Sequence, residues 1–174
     1  RMQVWKVFEN YQNLMKENQI RDINTAMYES TKLLQSAGRK PRYASIIIDE
    51  GQDFSDNAYR LIRALAGEEH PNDIFIVGDS HQRIYRNHPT LSKCGINVRG
   101  RSSILKINYR TTEEIRKHAF ALLNGISFDD LDEDLDLGDK CQSLTHGEKP
   151  IVENFENAND EFDFLLREVK KLKE

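Results

Sequence analysis

Residues 45–54 read SIIIDEGQDF, with three consecutive isoleucines followed by three carboxylates within five positions. A short run of β-branched residues after a turn-forming stretch predicts a strand that is buried on both faces, as in parallel sheets. Asp49 and Glu50 then follow the carboxyl end of the strand, where open α/β sheets bind their ligands. Because adjacent strand residues alternate in direction, we expect Glu50 to point away from Asp49.

The chain length and composition bound the class of protein. The 174 residues suffice for one domain, or for one domain and part of another, and 38% of them are hydrophobic. No apolar run approaches the roughly 18 residues of a membrane-spanning helix, and no signal peptide opens the chain. Cys94 and Cys141 indicate neither a disulfide framework nor a zinc site. We therefore expect a soluble protein of a reducing, cytoplasmic setting, without membrane partners.

The pattern of apolar residues predicts an α/β fold with a parallel sheet. The segment DIFIVGD is a second apolar strand, and the intervening segment has a helical stripe that Ser55 can cap. Strand, helix and strand within about 30 residues form a βαβ unit with a parallel crossover. The carboxylates of Asp49, Glu50 and Asp79 then lie along one edge of the sheet.

Further elements are predicted on both sides of this unit. The helices include an amphipathic one at the start of the chain, a second from about Asp22 to Gln35, and a last one that begins at Asn159 or Asp160. Two further strands are expected at SILKI (103–107) and PIVENF (150–155).

The charge is unevenly distributed along the chain. Residues 83–117 hold nine basic residues against two acidic ones, whereas seven of the eleven residues at 129–139 are acidic. The basic segment could neutralise phosphates, and the acidic one would repel them. The alternative is that both are solvated surface. We expect residues 129–140 to form an acidic loop.

The carboxylates at the strand end suit a nucleotide-bound magnesium ion. Mg²⁺ takes few protein carboxylates and keeps waters and phosphate oxygens as its other ligands. Asp49 could hold the ion, and Glu50 could orient or deprotonate the attacking water. The alternative is a strand that simply ends in a polar loop.

Three segments in order resemble motifs II, III and IV of the UvrD/Rep-type superfamily 1 DNA helicases: DEGQD (49–53), GDSHQRIY (78–85) and NYR (108–110). The resemblance extends to the helical stretch before the first strand and to the last helix. It implies a RecA-like fold of the P-loop NTPase class. Residues 1–102 would be the carboxyl-terminal part of the first RecA-like domain, and residues 103–174 would begin the second.

The resemblance also implies a role for each motif residue. Asp49 would serve Mg²⁺, Glu50 would be the base for water, and Gln82 would contact the γ-phosphate of ATP and couple it to DNA. Tyr109 would stack on adenine, and Arg110 would reach the γ-phosphate across the interdomain cleft. A surface position for Gln82, and an ion pair of Arg110 with Glu113 or Glu114, are the alternatives.

Single-stranded DNA would contact Tyr85 and the basic residues Arg83, Arg86, Arg99 and Arg101 in this resemblance. The family's usual residues after the motif III tyrosine are replaced by RNHPTLSKCGINVRGRSS, which resembles a less studied bacterial branch. The stacking contacts to DNA are therefore expected to differ from the usual pattern.

No GxxxxGK[ST] phosphate loop occurs in the sequence, and no motif VI arginine is visible. We therefore expect a piece of an ATP-dependent DNA helicase of the bacterial nucleoid, inactive alone, whose partners are DNA and the remaining motifs of the same chain. Three alternatives stay open. They are a receiver-like, magnesium-dependent phosphoacceptor domain, a magnesium-dependent nuclease or primase-like fold, and a nucleic-acid-binding module without nucleotide chemistry.

Overall fold

A computed structural model describes residues 2–38, 43–82, 89–123, 128–129, 135–136 and 141–173. The helices are α1 (Met2–Glu17), α2 (Ile23–Ser36), α3 (Asp56–Ala66), α4 (Glu113–Ala121) and α5 (Ala158–Lys171), and short 3-10 helices span Gly51–Asp53, Ser80–Gln82 and Ser92–Cys94. The strands are β1 (Ile46–Ile48), β2 (Ile74–Ile76), β3 (Ile107–Asn108), β4 (Phe128–Asp129), β5 (Leu135–Asp136) and β6 (Gln142–Ser143).

The chain divides into two compact units. The first unit comprises Arg1–Ser103 with Ser127–Leu137, and the second comprises Ile104–Ile126 with Gly138–Glu174. The mixed α/β class with parallel strand pairing is confirmed in both units. The assignment of residues 1–102 and 103–174 to two RecA-like domains remains a prediction.

The first unit contains the predicted βαβ arrangement. Strands β1 and β2 pair in parallel, with Ile47 opposite Phe75. The helix α3 between them begins as predicted, because the hydroxyl of Ser55 accepts a hydrogen bond from the backbone N–H of Ala58 at 3.3 Å. This N-cap satisfies a donor that has no partner within the helix. Because β1 and β2 are parallel neighbours, their carboxyl ends meet at one edge of the sheet.

An ion pair between two largely buried side chains fixes α3 against the start of β2. Nη1 of Arg63 lies 2.7 Å from Oδ2 of Asp73. Burial of the Asp73 carboxylate raises its pKa, but hydrogen bonds from Arg63 and from the backbone N–H of His70 outweigh burial and hold the pKa below its ordinary value. Removing one partner would leave the other charge buried and unpaired, so the pair locks the helix to the strand.

The core of the first unit lies on one side of the two-stranded sheet. Ile48 and Tyr59 pack there with Leu91, Cys94 and Ile96, and all five are buried. The last three belong to the segment RNHPTLSKCGINVRGRSS (86–103). This segment therefore contributes to the core, and burying each large aliphatic side chain adds about 1.5–3 kcal/mol.

The prediction that the strands are buried on both faces is wrong for this chain. The side chain of Ile47 is 77% exposed and that of Phe75 is 62% exposed. The reason is that the described residues supply packing elements for only one face of the sheet. The apolar stripes of α1 and α5 are likewise exposed, including Val4 and Leu165.

The second unit is built around α4 and a pair of two-residue parallel strands, β3 and β6. Of the strand predicted at 103–107, only Ile107 lies in a strand, since β3 consists of Ile107 and Asn108. The strand predicted at 150–155 is wrong, since these residues form no ladder. A strand requires a hydrogen-bonding partner, and the described residues offer none there. Asn157 caps α5, which begins at Ala158, one or two residues before the predicted start at Asn159 or Asp160.

The described residues of the predicted acidic loop include two short strands. β4 and β5 pair antiparallel, with Phe128 opposite Asp136. The other residues of 129–140 lie outside the described part of the chain. Of the helices in the described ranges, none is both long enough and apolar enough to span a bilayer.

Candidate nucleotide site

The predicted strand-end carboxylates lie on a turn rather than on the strand itself. β1 ends at Ile48, and Glu50 adopts a left-handed conformation with φ 52° and ψ 43°. The alternation expected for strand residues therefore does not apply, because the chain has already left the extended conformation. Oδ1 of Asp49 accepts a hydrogen bond from the backbone N–H of Glu50 at 2.9 Å. A left-handed non-glycine residue costs about 1–2 kcal/mol, and such strain is common at functional sites.

The side chain of Gln52 connects this turn to the end of β2. Its Nε2 donates to Oε2 of Glu50 at 2.7 Å, and its Oε1 accepts from the backbone N–H of Asp79 at 2.9 Å. Gln52 is 2% exposed. Both ends of one buried amide are thus occupied, which satisfies groups that would otherwise be costly to bury.

A second turn follows β2 and carries Gln82. Oδ2 of Asp79 accepts from Nε2 of Gln82 at 2.8 Å, and its Oδ1 accepts from the backbone N–H of His81 at 3.0 Å. The chain of contacts from Glu50 through Gln52 and Asp79 to Gln82 is therefore continuous. We refer to these four residues as the polar relay. It brings together two residues that the sequence predicts to act on the same nucleotide.

Two glycines allow the turns to approach so closely. A Cβ atom on Gly78 would lie 2.9 Å from Oε1 of Gln52 and 3.3 Å from the backbone nitrogen of Gly51. A Cβ atom on Gly51 would lie 2.7 Å from Cγ2 of Ile76. The hydroxyl of the fully buried Tyr59 donates to the carbonyl of Gly51 at 2.5 Å. The core thus anchors the turn that carries the carboxylates.

The arrangement leaves oxygen atoms that suit a hydrated magnesium ion. Among the described residues, no group hydrogen-bonds Oδ2 of Asp49 or Oε1 of Glu50. Both residues are exposed at the edge of the sheet. Oδ2 of Asp49, which lies beside open solvent, suits an ion that keeps waters and phosphate oxygens as its other ligands. The residues present therefore fit Mg²⁺.

The surroundings of Asp79 bear on the receiver-like alternative. Both carboxylate oxygens of Asp79 accept hydrogen bonds, from His81 and Gln82, so the carboxylate is held within the polar relay. In the described ranges, no three His, Cys, Asp or Glu residues are grouped to hold a metal.

The NYR segment lies in the second unit on a turn that Asn108 fixes. Oδ1 of Asn108 accepts from the backbone N–H of Arg110 at 2.8 Å, and its Nδ2 donates to Oγ1 of Thr111 at 2.7 Å. Such a turn is a common use of asparagine. Tyr109 is 76% exposed, and Arg110 is exposed as well. The turn therefore presents both side chains to solvent.

Among the described residues, Glu113 and Glu114 form ion pairs with other side chains and not with Arg110. The alternative that Arg110 pairs with one of them is therefore wrong. Glu113 accepts hydrogen bonds from Arg116 at 2.6 and 2.9 Å, and Glu114 contacts His146 at 3.0 Å. Both carboxylates also accept backbone N–H groups, Glu113 from Ser143 and Glu114 from Gly147.

These contacts change the titration of both carboxyl groups. The hydrogen bond from Arg116 and then that from Ser143 lower the pKa of Glu113 to about 2. The hydrogen bond from His146 and the backbone N–H of Gly147 lower the pKa of Glu114 to about 2. Hydrogen bonds to the charged form favour it. The two glutamates thus fasten the start of α4 to the segment around β6.

The predicted DNA-contacting residues are only partly described. Arg83, Tyr85 and Arg86 lie outside the described residues. Arg99 and Arg101 are exposed, and Nη1 of Arg101 lies 2.7 Å from Oε1 of Glu69. An ion pair this exposed contributes only about 0–1 kcal/mol, so a phosphate could displace the carboxylate.

Sequence reasoning missed two residues that position the predicted ones, Gln52 and Asn108. Gln52 lies inside motif II, but its partner Asp79 is 27 positions away, so no local pattern indicates the contact. Asn108 could have been found, because an asparagine side chain commonly forms a turn by accepting the backbone N–H two residues on.

A family model and several named proteins are similar in sequence to this chain. The family model for the UvrD/REP helicase N-terminal domain matches residues 1–88. A probable DNA helicase II homolog from Mycoplasma pneumoniae is 26% identical in an alignment of 155 residues that covers 85% of this chain and 21% of that protein.

Two further relatives carry helicase names. The ATP-dependent DNA helicase UvrD1 of Mycobacterium tuberculosis is 26% identical over 69% of this chain and 18% of its own length. The ATP-dependent DNA helicase Rep of Buchnera aphidicola is 29% identical over 67% of this chain and 19% of its own length. The chain thus spans about a fifth of the length of these relatives. Because the family model covers 88 of 174 residues, the chain belongs to the UvrD/REP helicase family.

Proposed function

We propose that this chain is part of an ATP-dependent DNA helicase and supplies the water-activating edge of its ATP site. The observation that carries the proposal is the polar relay, which joins Glu50 of motif II to Gln82 of motif III. The family membership and the helicase names of the relatives support it. Each unit would belong to one of two RecA-like domains, and the phosphate loop would come from other parts of the parent protein.

Asp49 would bind the magnesium ion through its free carboxylate oxygen. Bound Mg²⁺ would neutralise charge on the β- and γ-phosphates. Glu50 would accept a proton from the attacking water through Oε1, because Oε2 is engaged by Gln52. A general base of this kind contributes about 100-fold to 10,000-fold in rate.

Gln82 would contact the γ-phosphate. Its amide nitrogen carries two hydrogens, and the contact with Asp79 uses one of them. The side chain is exposed, so the second hydrogen can reach a ligand at the same edge of the sheet. A link from this turn to DNA would make hydrolysis depend on the bound strand.

Tyr109 and Arg110 of the second unit would contact ATP in the full-length parent. An exposed tyrosine can stack on adenine, and an arginine finger stabilises the charge of the transferring phosphoryl group. The turn fixed by Asn108 supports this role, since it presents both side chains together. Arg83, Tyr85, Arg86, Arg99 and Arg101 would contact single-stranded DNA through stacking and phosphate contacts.

The substitution Arg110→Ala in the full-length parent tests this function. We expect a fall of about 1,000-fold or more in ATP turnover with DNA binding retained, because an arginine finger acts on the transition state. Arg167→Ala is the matched control, since Arg167 is an exposed arginine of α5 in the same unit. Unchanged hydrolysis in Arg110→Ala would reject the finger. Loss of DNA binding with hydrolysis intact would instead favour a nucleic-acid-binding module.

A further inference from the structure

We infer that Gln52 is a positioning residue for ATP hydrolysis. Its side chain would orient the Glu50 carboxylate, and that orientation would depend on where the turn that bears Gln82 lies. The inference rests on the proposed function of Glu50 as the base. It assigns to Gln52 a role that differs from direct contact with nucleotide, since the side chain is buried behind the turn and is only 2% exposed.

The contacts of the amide explain why a glutamine is required. Nε2 donates to the Glu50 carboxylate, and Oε1 accepts from the backbone N–H of Asp79. A side chain with only acceptors could not hold Glu50, and one with only donors could not satisfy Asp79. Both contacts are made by one planar group, so displacement of one partner shifts the other.

Glu50 needs such a restraint because its own surroundings are open. The residue is exposed, and Gln52 provides its one side-chain hydrogen bond among the described residues. The hydrogen bond leaves Oε1 available to accept a proton while it fixes Oε2. Misplacement of a catalytic group by about 1 Å can cost about 100-fold in rate.

The other end of the amide connects to the nucleotide-contacting turn. Asp79 donates its backbone N–H to Gln52 and accepts the side-chain amide of Gln82 through Oδ2. Movement of Gln82 toward a ligand would therefore pull on Asp79 and, through it, on the amide that orients Glu50. Hydrolysis would become efficient only when the turn is in its ligand-bound position.

The test uses Gln52→Leu and Gln52→Glu in the full-length parent, with steady-state ATP hydrolysis in the presence of single-stranded DNA. Leucine removes both hydrogen bonds at similar size, whereas glutamate retains the acceptor for Asp79 and loses the donor to Glu50. We expect kcat to fall by about 10-fold to 100-fold in both variants with KM little changed. Gln35→Leu is the matched control, because Gln35 is an exposed glutamine on α2 of the same unit.

A double substitution separates positioning from general damage. If Gln52 acts through Glu50, then adding Gln52→Leu to Glu50→Gln lowers kcat no further than Glu50→Gln alone. An additive loss would overturn the inference. If Gln52→Leu proves unstable in thermal unfolding, Gln52→Glu decides the question by its kcat.

The outcomes distinguish the two proposals. Wild-type turnover in Gln52→Glu, together with loss of turnover in Glu50→Gln, would overturn the inference and leave the proposed function standing. Wild-type turnover in Glu50→Gln itself would refute the assignment of the base, and the inference would fall with it.

Discussion

The replacement Gly78→Ala should destabilise the first unit because it forces the two turns of the site apart. The new Cβ would lie 2.9 Å from Oε1 of Gln52, and it would also lie 3.2 and 3.3 Å from the backbone nitrogens of Gln52 and Gly51. Rotation of the Gln52 side chain would relieve only the first of these contacts. The backbone of one turn must therefore move.

The expected size follows from two contributions. Overpacking against backbone costs about 1–3 kcal/mol. Displacement of the Gln52 amide leaves the N–H of Asp79 without its acceptor, which costs about 1–3 kcal/mol when the group is buried. The sum is about 2–6 kcal/mol, a large fraction of the roughly 5–15 kcal/mol that holds a typical domain folded.

Urea unfolding followed by circular dichroism measures this change in the 174-residue chain. With an m-value of about 2 kcal/mol/M, the midpoint should fall by about 1 M or more. Gly100→Ala is the control, because Gly100 has a positive φ of 70° but open space around its Cβ position. That control should cost only about 1–2 kcal/mol through backbone strain. A midpoint shift for Gly78→Ala no larger than that for Gly100→Ala would refute the reasoning.

Three further predictions concern the core, the second unit and the cysteines. Tyr59→Phe should lower the free energy of unfolding by about 0.5–1.5 kcal/mol in a urea titration, because the carbonyl of Gly51 loses the hydroxyl of Tyr59 but keeps the backbone N–H of Phe54, and an unchanged midpoint would speak against that anchor. The pKa of Glu113 is lowered in the folded state, so its stabilisation is complete above the ordinary value of 4.5 and is lost as the pH falls toward about 2. Thermal unfolding across that range should therefore show a steeper loss in the wild-type chain than in Glu113→Gln, and parallel curves would contradict this. Burial raises the pKa of the Cys94 thiol, so a thiol reagent should modify Cys141 first, as peptide mapping would show, and equal rates would be evidence against a buried Cys94.

Much of the site's framework could be predicted because it depends on short-range patterns. The apolar runs around Ile47 and Phe75 are too short for helices and are bounded by turn residues, so both strands and the parallel crossover follow. Ser55 and Asp22 are common caps, and both accept a backbone N–H at a helix start.

Other features depend on distances and partners that the sequence does not reveal. The left-handed conformation of Glu50 is rare for a non-glycine residue, so a strand continuing through it was the natural expectation. The contact of Gln52 with Asp79 joins the ends of two strands, and only their register brings the atoms together. The strand predicted at 150–155 fails because a ladder needs a second chain segment, which apolar residues alone do not guarantee.

The proposed function depends on Glu50, which would be held by the polar relay and would activate the water that attacks ATP. Single-turnover ATP hydrolysis by the full-length parent, with and without Glu50→Gln, tests it most directly. We expect Glu50→Gln to lower the rate of hydrolysis by about 100-fold or more with ATP binding retained. An undiminished rate in Glu50→Gln would contradict it.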